Sequence, residues 1–199
     1  MQLQRGTSVT DSNEDGLLDA DALLNGINLN AVRRAQQEMR ADPDGAVARP
    51  TYAATVSWES GYRTKTLVGG GRIVEGDEPV IYGGAGRGAT PQDLLLTAVG
   101  HCLSATYVGG LSAAGIHIRS LKVHVSGKVN FLAAYGVEPG QAGFDRIKID
   151  VDIDADASKA TIESLLAKLF PSAPIPDTII RPVPVEVAVR HVANGSETT

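Results

Sequence analysis

The stretch "TPQDLLLTAVGHCLSATYVGGLSAAG", residues 90–115, decides the fold because it is long enough for about seven helical turns and holds the only cysteine, Cys102. Its first residues form a helix start: Thr90 suits the N-cap, Pro91 the first helical position and Asp93 the acid of a capping box. Gly115 suits the residue that ends a helix. The stretch therefore predicts one long helix that carries the cysteine.

Residues 94–116 are also long and apolar enough to cross a membrane. They contain four glycines, a histidine and several hydroxyl side chains, and no aromatic or basic belt flanks them. These features favour a buried core helix over a membrane span.

Strand patterns lie on both sides of this helix. The runs are residues 51–58, 62–68 and 72–82 before it, and residues 121–129, 146–155 and 183–191 after it. A second amphipathic helix begins after Asp156. The order β-β-β-α-β-β-α-β predicts an α+β fold in which antiparallel sheets pack on the long helix.

The chain divides into a main domain and two flanking segments. Residues 1–50 are predicted to be a disordered tail followed by a helical extension, in which "NLNAVRRAQQEMRAD" (28–42) is an amphipathic helix stopped by Pro43. Residues 51–192 form the predicted main domain, and residues 193–199 a second disordered tail.

Composition excludes several classes of function. The 199 residues carry a net charge of −5 with no basic cluster, which argues against nucleic acid and anionic membrane partners. A single cysteine cannot close an intrachain disulfide and no signal-peptide core is present, so we expect a cytoplasmic protein. The loop "GGAGRGA" lacks the phosphate-binding spacings, and the histidine spacings fit no metal site. We therefore predict no cofactor and no metal.

Cys102 is either a small core residue or a nucleophile. It lies about three turns into the helix, beyond the influence of the helix N-terminus, so a reactive thiolate needs a cation from another segment. Arg63, Arg72 and Arg87 are the candidates, and we favour Arg63 because a hairpin tip can fold over a helix face. His101 is adjacent in sequence, but neighbouring helical residues point about 100° apart.

Residues 77–116, "DEPVIYGGAGRGATPQDLLLTAVGHCLSATYVGGLSAAGI", resemble the OsmC/Ohr superfamily. In that pattern an Asp-Glu-Pro strand leads to a Gly-Gly loop, and a proline opens a long helix whose cysteine stands eleven residues later, as Pro91 and Cys102 do. The resemblance extends over about residues 51–191, and residues 1–50 are similar to extensions on longer members.

The resemblance implies an intertwined homodimer with its sites at the subunit interface and with Cys102 as the peroxidatic thiol. It also implies that an arginine from the early hairpin supports the thiolate. Arg63 matches that role by location, and Arg72 remains an alternative.

The chain departs from the family pattern at two places. Ser172-Ala173 stands where the resolving cysteine should fall, so an internal disulfide cycle is impossible. Gln92 replaces the acid that Ohr-type members carry after the loop proline, and this removes an arginine–carboxylate clamp. We assign catalytic roles to Cys102 and Arg63 and substrate binding to Gln92 and His101.

Three functional hypotheses follow. The first is a thiol-dependent peroxidase in oxidative stress defence that reduces organic or hydrogen peroxide through Cys102 and is regenerated by an external thiol. The second is a dimeric protein that binds a small molecule without turnover. The third is a cysteine-nucleophile enzyme that acts on another electrophile with His101 as its base.

Overall fold

The computed structural model describes residues 23–192, which fall into two compact units divided between Thr51 and Tyr52. The predicted disordered tail at the start of the chain and the tail at residues 193–199 lie outside the described residues. The domain boundaries remain a prediction, and each unit is described by itself.

The first unit is a small hairpin followed by a helix. Strands β1 (Leu23–Leu24) and β2 (Ile27–Asn28) pair across Asn25-Gly26, both of which have positive φ as a tight hairpin turn requires. Helix α1 (Leu29–Ala41) begins where the Asn28 side chain accepts a hydrogen bond from the Ala31 amide. The structure thus contains the amphipathic helix that the sequence predicts.

The second unit opens with a three-stranded antiparallel sheet, which we call the arm. It consists of β3 (Thr55–Ser60), β4 (Arg63–Val68) and β5 (Arg72–Gly76), paired in that order. The predicted third strand was too long, because β5 ends at Gly76 and a 3-10 turn, Val80–Tyr82, follows. Two features end it: the Asp77 carboxylate binds backbone amides of the loop, and Pro79 has no amide to donate.

Helix α2 (Pro91–Ala113) is the long helix that carries Cys102. Its start is the predicted capping box: the Thr90 hydroxyl accepts from the Asp93 amide at 3.1 Å, and the Asp93 carboxylate accepts from the Thr90 amide at 3.0 Å. At its end Gly115 has φ +76°, and the Ile116 amide bonds back to Leu111 at 2.9 Å. Local sequence therefore fixes both ends of the helix.

A long antiparallel hairpin packs against α2. It is formed by β6 (Ile118–Val129) and β7 (Phe144–Ala155), and the link between them contains the short helix α3 (Phe131–Ala134). The apolar side chains of each strand face α2 and the charged ones face solvent, as the alternation predicts. The α+β class, with antiparallel sheet packed on the central helix, is confirmed.

Two further helices complete the unit. Helix α4 (Lys159–Leu169) is the predicted amphipathic helix, and α5 (Pro174–Ile180) was missed. Its two prolines, Pro174 and Pro176, are of a residue type that usually breaks a helix. Both lie in the first turn, where a missing amide removes no helical hydrogen bond.

The core forms around one stripe of α2. Val99, Leu103 and Leu111 are fully buried and Tyr107 nearly so. They pack on the inner faces of β6 and β7 and on the helices that follow. Within residues 23–192, α2 is the one helix whose length and apolar composition would allow it to cross a membrane, and its buried stripe packs in the core of the second unit.

The predicted last strand, residues 183–191, was wrong for a single chain. The segment has no paired strand, and Val185, Val187 and Val189 are between 84% and 89% exposed. A strand needs hydrogen bonds from a neighbour, so its alternating pattern cannot by itself produce one.

Candidate functional site

Cys102 lies half-buried on α2, beside the core stripe. It packs against the cluster that contains Val99, Leu103 and Ala173. The backbone amide of Ile175 donates a hydrogen bond to its Sγ at 3.4 Å. The contact gives the sulfur one hydrogen-bond donor from the backbone.

The segment before Ile175 holds that amide in place. Ser172 turns its hydroxyl back to the Leu169 carbonyl at 2.7 Å, and Ala173 is fully buried in the core. Pro176, one residue beyond Ile175, is also buried. The position at which the family resemblance implies a second cysteine is therefore filled by a packed turn.

Arg63 stands at the start of β4 in the arm, and its ion-pair partner is Glu59 at 2.7 Å. The hydrogen bond that the Arg63 guanidinium donates to Glu59, and the charge of that carboxylate, raise the pKa of Arg63. Within the described part of one chain, no hydrogen bond joins Arg63 to Cys102. The fold of a single chain does not bring these two predicted catalytic residues together.

Of the two alternative arginines, Arg72 makes a local contact through its side chain and Arg87 through its backbone. The Arg72 side chain donates to the Gly69 carbonyl at 3.2 Å, and the Arg87 backbone amide donates to Asp77 at 3.0 Å. Neither contact is with Cys102, so the structure gives no reason to prefer either arginine over Arg63.

The two predicted substrate-binding residues lie on different parts of α2. Gln92 is half-buried in the first turn. His101 is exposed and lines a groove of about 410 Å³ between α2 and β6. Asp93 and Thr97 line the same groove, but neither Gln92 nor Cys102 does. His101 and Cys102 point about 100° apart on the helix, which is why the groove includes His101 and not Cys102.

Asp77 is an important residue that the sequence reasoning missed. Its side chain is 3% exposed and accepts backbone hydrogen bonds from Glu78 at 2.8 Å, Ala85 at 3.2 Å and Arg87 at 3.0 Å. These bonds, that of Arg87 foremost, hold the pKa of the Asp77 carboxyl below its ordinary value despite burial. An acid placed just before a proline and a glycine-rich loop was the available signal.

The loop that Asp77 organises depends on glycine. Gly83 has φ +90°, and a Cβ at Gly84 would lie 1.8 Å from the Glu78 carbonyl oxygen. Only residues without a side chain allow the loop to fold this tightly over the buried carboxylate. Asp77 and these glycines together hold the loop that leads to α2.

A second cavity, of about 290 Å³, lies between the arm and the start of α2. Its lining is mainly apolar, with hydroxyls from the arm and carboxylates from the loop: Val56, Tyr62, Thr64, Thr66, Val74, Gly76, Asp77, Glu78, Ala89, Pro91 and Leu94. Cys102 lines neither this cavity nor the groove of His101.

Within residues 23–192, no three His, Cys, Asp or Glu side chains come together as metal ligands could. The chemistry available at Cys102 therefore consists of a half-buried sulfur, an amide donor and apolar walls.

The fold and the site define an α+β protein whose antiparallel sheet packs on a helix that carries a hydrogen-bonded cysteine. The family model described as OsmC-like protein matches residues 84–188, more than half of the chain. The chain belongs to the OsmC-like family, within the OsmC/Ohr superfamily.

Solved structures agree on the fold. An OsmC-like protein from Mycoplasma pneumoniae superposes with a TM-score of 0.57 at 19% identity, over 66% of this chain and 89% of that one. An OsmC-like protein of unknown function from Vibrio cholerae gives 0.54 at 10% identity, over 64% and 92%. No curated protein matches the chain by sequence. At these identities the likeness shows the fold alone.

Proposed function

We propose that the protein is a one-cysteine, thiol-dependent peroxidase that acts on organic or hydrogen peroxide in oxidative stress defence. One observation carries the proposal. Cys102, at the cysteine position of the family motif, is half-buried, and its sulfur accepts a hydrogen bond from the Ile175 amide. The thiolate form of a cysteine is the form that attacks peroxides, and the Ile175 amide gives the sulfur a hydrogen-bond donor for that reaction. The apolar side chains around it suit the organic part of a hydroperoxide.

The first step converts the thiolate to a sulfenic acid. The Cys102 sulfur attacks the terminal oxygen of the hydroperoxide, an S–O bond forms and the O–O bond breaks. The leaving alkoxide takes a proton and departs as the alcohol, or as water when hydrogen peroxide is the substrate. The sulfur is oxidised and the peroxide is reduced by the same two electrons.

Regeneration uses an external thiol. Ser172-Ala173 offers no second sulfur, so an incoming thiol condenses with the sulfenic acid, forms a mixed disulfide and releases water. A second thiol then attacks the mixed disulfide and frees the Cys102 thiolate. The products are water, the alcohol and an oxidised disulfide of the reductant.

The proposed enzyme is a homodimer with its site at the subunit interface. Three observations support a second chain: Cys102 lines neither cavity described above, Arg63 is not joined to it within one chain, and the valines of residues 183–192 are exposed. In the dimer, the partner's Arg63 would supply the cation that the thiolate needs.

A small-molecule binding protein without turnover is the second candidate. The filled position at Ser172-Ala173 favours it, since the packed turn leaves no resolving residue beside Cys102. The third hypothesis, with His101 as a base for Cys102, has less support because His101 lines a groove that excludes the cysteine.

The test is the stopped-flow rate of Cys102 oxidation by cumene hydroperoxide, with the sulfenic acid trapped by dimedone and Cys102→Ser as the control. Oxidation far faster than that of free cysteine, absent in Cys102→Ser, is the expected result. A rate equal to that of free cysteine would overturn the peroxidase. The next measurement would then be the stabilisation of the protein by added small molecules, which tests the second candidate, a binding protein without turnover.

A further inference from the structure

Four aromatic side chains gather beside the arm and have no part in the proposed peroxidase chemistry. The rings of Tyr82, Phe131 and Tyr135 contact one another, with centroids 4.8 Å apart for the first pair, 5.7 Å for the second and 5.8 Å between the two tyrosines. Tyr62 lies at the hairpin tip of the arm, and its Cε2 atom is 3.5 Å from the position that a Cβ of Gly83 would occupy. We call these four residues the aromatic cluster.

Two rings of the aromatic cluster face solvent. Tyr62 is 50% exposed and Tyr135 is 52% exposed. Within residues 23–192, the hydroxyl group of neither tyrosine forms a hydrogen bond. Because exposed aromatic surface that other rings hold in place is typical of a binding site, the cluster is a candidate for one.

A carboxylate without a counter-charge stands beside these rings. Glu78 is half-buried and lines the same cavity of about 290 Å³ as Tyr62. In the described part of the chain, its side chain forms no ion pair and accepts no hydrogen bond. Desolvation, and then the charges of Tyr62 and Glu78, raise the pKa of Tyr135, so Glu78 also acts on the second exposed ring. A partly desolvated anion is unfavourable unless a cation compensates it.

The neighbouring groups favour an organic cation over a metal ion or a cation of the protein. Arg63, which follows Tyr62, is paired with Glu59 at 2.7 Å. Within residues 23–192, no three His, Cys, Asp or Glu side chains come together as ligands of a metal ion could. One carboxylate beside aromatic ring faces is instead the arrangement that recognises methylated ammonium groups, through cation–π contacts within about 6 Å of a ring centroid.

We propose that Glu78, Tyr62 and Tyr135 bind a small organic cation of the methylated ammonium class at this cavity. Glu78 supplies the opposite charge, and the faces of the two tyrosine rings contact the methyl groups, over which the positive charge is spread. The volume of about 290 Å³ is close to the lower end of the range for small-molecule pockets, about 300 Å³.

The site goes beyond the proposed peroxidase and does not depend on it. All its residues belong to one chain, and neither Cys102 nor Arg63 lines the cavity. The oxidation rate of Cys102 and the binding of a cation are therefore separate measurements, and either proposal can fail while the other stands.

A titration of the protein with choline, followed by NMR, tests the site. The N-methyl resonance of choline should shift upfield on binding, because methyl groups that lie over ring faces experience the ring current. We expect a dissociation constant on the order of 1 mM. The neutral isostere of choline, in which a carbon atom replaces the nitrogen, should bind at least roughly tenfold more weakly because it has no charge to pair with Glu78.

Substitutions assign the two parts of the site. Glu78→Gln should weaken choline binding roughly tenfold and leave the binding of the isostere unchanged. Tyr135→Leu should remove much of the upfield shift, whereas Tyr135→Phe keeps the ring and should retain it. Tyr52→Leu is the matched control, because Tyr52 is 90% exposed and lies outside both the cavity and the aromatic cluster.

Three results would overturn the proposal. Equal binding of choline and its neutral isostere would show an apolar cavity without cation recognition. Unchanged choline binding in Glu78→Gln would exclude the carboxylate, and equal effects of Tyr135→Leu and Tyr135→Phe would exclude the ring face. Circular dichroism checks that each variant folds, and Glu78→Gln decides the question if Tyr135→Leu does not.

Discussion

The backbone amide of Ile175 points at the sulfur of Cys102, 3.4 Å away and 73 residues distant in the chain. The two meet because α2 and α5 pack against each other through the cluster around Ala173. A backbone donor cannot rotate away or lose its proton in the physiological range, unlike a side chain. The contact therefore gives the sulfur a hydrogen-bond donor of fixed position in the proposed enzyme.

Ile175→Pro removes this donor and should slow the oxidation of Cys102. Ile175 lies in the first turn of α5, where an amide has no helical hydrogen-bond partner, so a proline there removes the contact with the sulfur without breaking a bond of the helix. Loss of a hydrogen bond to a charged group predicts a fall in the sulfenylation rate of roughly tenfold. The measurement is the stopped-flow reaction with cumene hydroperoxide.

Ile175→Val is the matched control, since it trims the side chain and keeps the amide. It should react at close to the wild-type rate. Equal slowing in Ile175→Val and Ile175→Pro would attribute the effect to packing and contradict a role for the amide.

The elements that could be predicted from the sequence are those whose signals are local. The capping box of Thr90 and Asp93, the Gly115 stop and the alternation in β6 and β7 each lie within a few residues, and the structure contains all of them. Residues 183–191 show the limit of such signals. Their alternation is a true strand pattern, but pairing depends on a neighbour that the pattern does not specify.

The candidate site likewise contains residues that the sequence reveals and contacts that only the folded chain reveals. Cys102 could be found because its residue type carries chemistry, whereas the Ile175 amide is invisible to any reading of side chains. Asp77 could have been inferred from its place before Pro79 and the glycine loop. Its burial could not, because burial depends on how the loop folds back over it.

Asp77→Asn should destabilise the protein and reduce its loss of stability in acid. The folded pKa of Asp77 lies below its unfolded value, so its contribution is present above the unfolded pKa, near 3.9, and is lost as the pH falls through the folded pKa. The variant should melt roughly 2–5 °C lower than wild type at pH 7. Below pH about 4 the two melting temperatures should converge.

Thermal unfolding followed by circular dichroism from pH 3 to pH 7 provides the comparison. Glu78→Gln is the control, because the adjacent carboxylate accepts none of these loop hydrogen bonds in the described part of the chain. A constant difference in melting temperature between Asp77→Asn and wild type across this range would show that the charge of Asp77 does not contribute to stability.

Adjacent glycines near the end of α2 should respond oppositely to alanine. A Cβ at Gly110 would lie 2.4 Å from both terminal methyl groups of Leu169, whereas a Cβ at Gly109 has nothing within 4 Å in one chain. Gly110→Ala should therefore cost about 1–2 kcal/mol of unfolding free energy through overpacking between α2 and α4. Gly109→Ala should be neutral or stabilise the helix by up to about 1 kcal/mol.

Urea unfolding of the two variants measures both effects. Each variant makes the same Gly→Ala change in helix propensity, so the difference between them reports the packing against Leu169. A loss of similar size in Gly109→Ala would mean that another surface, such as a second chain, contacts that glycine. A Gly110→Ala variant as stable as wild type would show that Leu169 can move aside without cost.

The exposed valines of residues 183–192 should contribute to the homodimer and little to the single chain. Val185, Val187 and Val189 alternate along a segment that has no strand partner, and they are 84–89% exposed. In the proposed dimer this segment would bury its valines and pair its amides with a strand of the partner subunit. Replacing all three valines by serine should raise the dimer dissociation constant by roughly 100-fold, at about 1 kcal/mol for each buried valine lost.

The control for this change is Glu186→Gln together with Arg190→Gln, on the alternate positions of the same segment. Sedimentation velocity over a concentration series gives the dissociation constants, and circular dichroism checks that the helix content is unchanged. Equal weakening by the valine and control substitutions would point to a general effect of the segment's charge or flexibility. A dimer that is unaffected by the loss of the three valines would exclude this segment from the interface.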